Sequence, residues 1–197
     1  NIGLPHSFSI PYFMSPDFYT GYGWYRKLFT LSEKDLSKTL SLEFDGVFQE
    51  AEIFVNGNKV STHRGGYTGF SVDFTKYAIK GENILSVRVN NLWQATLAPR
   101  GGEHVFSGGI YRDVRLVKKD KAHITWSGIA VTTPDLESNN GELSTVRIKS
   151  EICNSDNMET NLRLVSKVVD HSGKIVSKIE SRLVVPSMTT RTIYQTT

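Results

Sequence analysis

A chain of 197 residues is long enough for one large domain or two small ones. Hydrophobic residues at 39%, charged residues at 22% and a net charge of +3 describe an ordinary globular composition and give no footing for nucleic acid as a partner. No apolar run approaches the roughly 20 residues of a membrane-spanning helix, and no signal-peptide pattern is present.

The chain opens without Met, on NIGLPHSF, and so reads as a piece of a longer protein. Residues 8–25, FSIPYFMSPDFYTGYGWY, are dense in aromatics, with Pro11 and Pro16 preventing regular structure. Rings of this size bury about 150–250 Å2 each and are rarely left in water. Three destinations are open to them: packing across a sandwich, docking on a neighbouring domain, or stacking on sugar rings.

From there the pattern is strand after strand. GWYRKLFT (23–30) alternates, and TLSLEFD (39–45) places Leu40, Leu42 and Phe44 on one face. Between them SEKDLSKTL (32–40) offers one helical turn at most. EAEIFVNG (50–57) ends in Asn56-Gly57, the strongest short hairpin signal, and leads into NKVSTH. FSVDFTKY (70–77) and NILSVRVNN (83–91) alternate again, as does GGIYRDVRLV (108–117). Gly-rich turns punctuate these runs at 64–69, 80–83 and 98–103.

The character changes at 119–121, where Lys118, Lys119 and Lys121 read as a solvated strand end. AHITWSGIAVTT is a strand, PDLESNNGE a polar loop, and four further strands follow. The expected organisation is therefore two domains, 1–120 and 121–197. Five strands fall short of the roughly seven of an immunoglobulin-like sandwich, so the second domain is expected to be incomplete and to self-associate through exposed edges.

Chemistry-bearing residues are sparse. The lone Cys153 excludes an intrachain disulfide and reads as a half-buried strand cysteine. His6, His63, His104, His123 and His171 never fall at helical i, i+4 spacing, so no metal site is visible. Alternation puts Arg112 on the apolar face of Ile110, Val114 and Leu116, which calls for a partner. That partner is a ligand carboxylate or, by preference, a buried acid such as Asp45 or Asp73. Gly108-Gly109 precedes a strand rather than a helix, so it marks a backbone corner and not a phosphate cradle; Gly65-Gly66 reads the same way. The long connection NLWQATLAPRGGEH (91–104) carries Trp93, Arg100, Glu103 and His104 and is the better functional candidate.

Five blocks, GYGWYRKLF (21–29), FDGVFQEAEIFVNGNKV (44–60), HRGGYTGFSVDFTKY (63–77), GENILSVRVNN (81–91) and SGGIYRDVRLV (107–117), occur in the order and spacing of the N-terminal domain of family 2 glycoside hydrolases. LPHSFS (4–9) resembles the short motif that precedes that domain. The resemblance implies an all-β chain: a jelly-roll, galactose-binding-like sandwich, then a truncated immunoglobulin-like sandwich. It implies a parent enzyme, most of all a β-galactosidase, with β-glucuronidase and β-mannosidase as alternatives, whose TIM barrel carries both catalytic carboxylates. That barrel needs about 250 residues of alternating strands and helices, so no catalytic residue is expected in this chain. By loop and spacing, Glu103 stands at or near the position from which β-galactosidases of the family lend an acidic residue to the sugar and metal site. Glutamate stands here where those members have aspartate. His104 would hydrogen-bond a sugar hydroxyl and Trp93 would stack on a sugar face or dock to the barrel. The resemblance further implies a β-galactoside-type carbohydrate and the barrel of the same parent as partners. No cofactor is expected in this chain, and any metal of the parent belongs at the barrel. A polysaccharide-degrading parent favours a periplasmic or extracellular location. Rival functions are an autonomous carbohydrate-binding module, which needs a row of exposed aromatics, and an adhesion protein of sandwich domains.

Overall fold

Alternating apolar residues build the first of two units, Asn1–Lys118. The computed structural model describes residues 1–8, 19–97, 108–138, 141 and 144–197. Four strands, β1 (Tyr22–Leu31), β6 (Gly81–Asn90), β3 (Glu50–Val55) and β4 (Asn58–Arg64), form one antiparallel sheet in that spatial order. Three more, β5 (Phe70–Asp73), β2 (Thr39–Phe44) and β7 (Val114–Lys119), form the other. Leu40, Leu42 and Phe44 meet Ile53, Val55, Val87 and Val89 in one buried cluster, each side chain contributing about 1.5–3 kcal/mol. Phe44 and Phe70 stack at 4.7 Å with planes 7° apart.

Local chemistry sets the corners. Asn56 and Gly57 take positive φ (50° and 80°), as a two-residue hairpin between β3 and β4 requires. The single turn α1 (Glu33–Leu36) starts at a capping box formed by Ser32 and Asp35. The strand expected over 70–77 stops at Asp73, whose Oδ1 accepts from the Thr75 amide at 2.8 Å and starts a 3-10 turn at Thr75–Tyr77.

The strand expected from Gly108 is the larger departure. Gly109 has φ +134° and exchanges backbone hydrogen bonds with Phe48, the chain bends at Arg112, and regular pairing begins only at Val114. The bend destroys the alternation that placed Arg112 inward. Arg112 is exposed, with its guanidinium over the Tyr111 ring at 5.9 Å, and the partner of Asp45 is Arg115. The buried pair expected for Arg112 therefore does not exist. Both glycines serve as close-approach corners: a Cβ on Gly109 would lie 2.6 Å from the His6 carbonyl oxygen, and one on Gly108 would lie 2.6 Å from Asn91 Cβ.

In the N-terminal aromatic segment, Phe8 stacks on Tyr25 and packs against the core, whereas Tyr22 and Trp24 point outward from β1. Tyr12, Phe13 and Phe18 lie outside the described residues.

The second unit, Lys119–Thr197, holds the five expected strands. β12 (Thr189–Thr196), β9 (Arg147–Asn154) and β8 (Ala122–Thr132) form one antiparallel sheet, and β10 (Thr160–Val169) pairs with β11 (Ile175–Val185) in a second. Ile152, Leu183 and Val185 are its buried core, and Cys153 sits half-buried on β9. The chain is all-β, a jelly-roll-type sandwich followed by an immunoglobulin-like one.

Candidate functional site

The site is built where β6 runs out. Val89 is the last apolar residue of the strand; Asn90 and Asn91, both buried, turn the chain into the long connection. A primary amide can donate two hydrogen bonds and accept two, and both asparagines use donor and acceptor. Asn91 Nδ2 donates to the Tyr19 carbonyl at 2.9 Å, and its Oδ1 accepts from the Gly21 amide at 2.8 Å. Asn90 Nδ2 donates to Glu50 Oε2 at 3.2 Å, while its Oδ1 accepts from the Leu92 amide at 2.9 Å. Gln49, also buried, follows a cis peptide after Phe48 and donates from Nε2 to the Leu92 carbonyl at 2.5 Å. Buried amides left unpaired are costly, so this geometry fixes where the connection leaves the sandwich.

Beyond Leu92 the connection is tied to the β3–β4 hairpin. Glu50 and Arg64 are direct cross-strand partners, with Arg64 Nε 3.4 Å from Glu50 Oε1. Gln94 bridges them. Its Nε2 donates to Glu50 Oε2 at 3.1 Å and its Oε1 accepts from Arg64 Nη2 at 2.9 Å. Arg64 Nη2 also donates to Thr96 Oγ1 at 3.3 Å.

Beside the hairpin lies a second group of rings. His63 stacks on Phe70 at 4.0 Å, and burial holds its pKa below the ordinary histidine value. Tyr111 donates from its hydroxyl to the Gly66 carbonyl at 2.6 Å, and burial pushes its pKa up. These groups are engaged in holding the turn after β4.

Of the residues singled out in the sequence, Trp93 stands in the braced stretch and is 61% exposed. Glu103 and His104 lie outside the described residues, as does Arg100. Sequence reasoning passed over Gln49, Glu50, Arg64, Asn90, Asn91 and Gln94. A signal was present: two adjacent asparagines at the end of a strand whose inward residues are otherwise aliphatic. Among the described residues no three His, Cys, Asp or Glu side chains gather to hold a metal ion. Both carboxylate oxygens of Glu50 are engaged by Arg64, Asn90 and Gln94, so the arrangement holds a loop in place and offers no poised acid or base.

Residues 1–120 match the sugar-binding domain of the family 2 glycosyl hydrolases. Among curated proteins, a putative β-glucuronidase of Formosa agariphila is 35% identical over 162 residues, 80% of this chain and 15% of the relative. A β-galactosidase of Bacteroides ovatus is 34% identical over 163 residues, 82% of this chain and 18% of the relative. Among solved structures, a β-glucuronidase of Bacteroides uniformis, determined covalently bound to cyclophellitol-6-carboxylate aziridine, superposes with a TM-score of 0.90 at 28% identity. That superposition covers 100% of this chain and 24% of the other. The chain thus spans less than a quarter of each of these relatives.

Proposed function

From the premise that the chain belongs to the family 2 glycosyl hydrolases, we propose that it serves as the non-catalytic N-terminal part of an exo-acting β-glycosidase. In that role it packs against the catalytic barrel of the same polypeptide and forms part of the rim of the substrate pocket through residues 91–104. The proposed substrates are β-linked galactosides or glucuronides, the two classes named for relatives of near-equal identity. Glu103 and His104 are proposed to reach the sugar, and Trp93 to lie beside it.

The braced exit of the connection carries this reading. Six polar side chains, three of them buried amides, hold 91–97 against the sandwich. A connection with only spacing to do has no need of such anchorage at its start, and binding residues are commonly carried on loops positioned by a rigid scaffold. Catalysis is proposed to lie in the barrel, since a retaining glycosidase needs two carboxyl groups about 5–5.5 Å apart on rigid elements.

An autonomous carbohydrate-binding module is the rival, and one observation bears on it: Tyr22 and Trp24 are exposed at alternate positions of β1, with Trp24 resting on Phe54 at 5.7 Å. Titration calorimetry of the 197-residue chain with galactosides, glucuronides and oligosaccharides separates the two. Binding weaker than millimolar, with no release of nitrophenol from aryl β-glycosides, supports the rim reading. Micromolar binding, or turnover, overturns it.

A further inference from the structure

The Glu50–Arg64 pair deepens this reading, resting on it only in that residues 91–104 form a rim. We infer that Arg64, oriented by Glu50, is a positioning residue that holds the stretch bearing Trp93 against the end of the sandwich. Arg64 is the last residue of β4, a strand at the edge of its sheet, and it stands opposite the first residue of β3. Its guanidinium is planar and presents several N–H groups in a fixed fork. One arm meets Glu50; the other reaches two residues of the connection, Gln94 at 2.9 Å and Thr96 at 3.3 Å. Gln94 closes the ring by donating back to Glu50. Arginine, glutamate and glutamine thereby form a closed cycle joining hairpin to connection.

The surroundings of the pair favour positioning over bulk stability. The Arg64 side chain is 52% exposed and that of Glu50 26%, and half-solvated ion pairs add little to global stability. Trp93 lies between Leu92, held by Gln49 and Asn90, and Gln94, held by Glu50 and Arg64. The Leu92 anchors come from the buried end of β6 and the residue just before β3, and the Gln94 anchor comes from the β3–β4 pair. Trp93 accordingly lies between a buried anchor on its N-terminal side and, on its C-terminal side, the half-exposed Glu50–Arg64 pair of the edge hairpin.

Hydrogen exchange of the 197-residue chain, followed by mass spectrometry, tests this. The peptide spanning 93–97 contains the Leu97 amide, which donates to the Gln94 carbonyl at 3.1 Å. Arg64→Met is expected to accelerate its exchange by about tenfold while leaving β1 and β6 protected and Tm nearly unchanged. Arg64→Lys, which keeps the charge beside Glu50 but loses the fork, is expected to loosen the same peptide. Glu50→Gln should do so to a smaller extent, since an oxygen acceptor survives. Unchanged exchange at 93–97 in Arg64→Met overturns the inference. So does acceleration spread equally through β6, because that marks loss of the fold rather than release of a loop. The rim reading has a separate readout in the kinetics of the full-length parent: a loosened loop with unaltered kinetics keeps the clasp and removes the rim.

Discussion

Arg115 closes on Asp45 through two parallel hydrogen bonds, 2.7 Å from Nη1 to Oδ2 and 2.5 Å from Nη2 to Oδ1. The guanidinium holds the Asp45 carboxyl below the usual carboxylate range. Backbone pairing supports the same junction, with the Asp45 amide donating to the Asp113 carbonyl at 3.0 Å. The bidentate geometry is good, but the pair stands at the surface, where screening and side-chain entropy erode its value. Arg115→Ala is expected to lower Tm by about two degrees, whereas Arg112→Ala leaves it unchanged. A larger loss in Arg112→Ala than in Arg115→Ala would contradict the assignment. Because Asp45 titrates lower when folded, its stabilisation is complete above the unfolded value of about 4 and is lost as pH falls through the folded pKa.

His63 gives the opposite end of the acid range a signature. Its ring is half-buried on Phe70, and burial depresses its pKa. An unfolded histidine titrates near about 6.5, so below that pH the unfolded chain binds a proton the folded chain resists. Stability is therefore expected to fall as pH drops below about 6.5 and to level off below the folded pKa. Urea unfolding at several pH values between neutrality and 5 should show this slope, and His63→Phe should flatten it. An undiminished slope in the variant places the titrating group elsewhere. Asp35, held to about 2 by Lys118 and the Ser32 cap, titrates below this window.

Two glycines with positive φ should respond differently to alanine. At Gly109 a Cβ would collide with the His6 carbonyl and the Tyr25 hydroxyl, 2.6 and 2.7 Å away. At Gly57 the same atom would meet open space, and only the backbone preference is lost. Gly57→Ala is expected to cost about 1 kcal/mol and Gly109→Ala about 3 kcal/mol or more. Comparable costs in denaturant unfolding would show that the junction near Gly109 relaxes freely.

These contrasts mark what could be read from residue order alone. Apolar alternation located the strands because a half-buried strand must repeat every second residue; Asn56-Gly57 announced its hairpin because few residues accept positive φ. Arg112 was misplaced because a bend following Gly109 shifts the register by an amount no local pattern records. The clasp went unread for a different reason. Glu50, Arg64 and Gln94 are unremarkable singly, and only the pairing of β3 with both β4 and β6 brings them together. Asn90-Asn91 was legible in principle, as consecutive amides where a strand should have ended in apolar residues.

The second unit motivates a prediction about association. Ile129 and Val131 lie on β8, an end strand, at 54% and 58% exposure, opposite Ser150 and Ile148 of the neighbouring strand. Apolar residues at a strand edge invite pairing with another chain. Light scattering of the 197-residue chain at rising concentration is expected to show mass above the monomer, and Val131→Lys to reduce it. A monomer at every concentration removes the proposal.

The most direct measurement is steady-state kinetics of the full-length parent enzyme on nitrophenyl β-galactoside and β-glucuronide, comparing the native enzyme with Glu103→Gln. A residue at the pocket rim that binds substrate without taking part in the chemistry should raise KM by about tenfold with kcat altered by less than about twofold. Unchanged KM on both substrates would contradict the rim role, and a collapse of kcat at constant KM would place Glu103 in the chemistry itself.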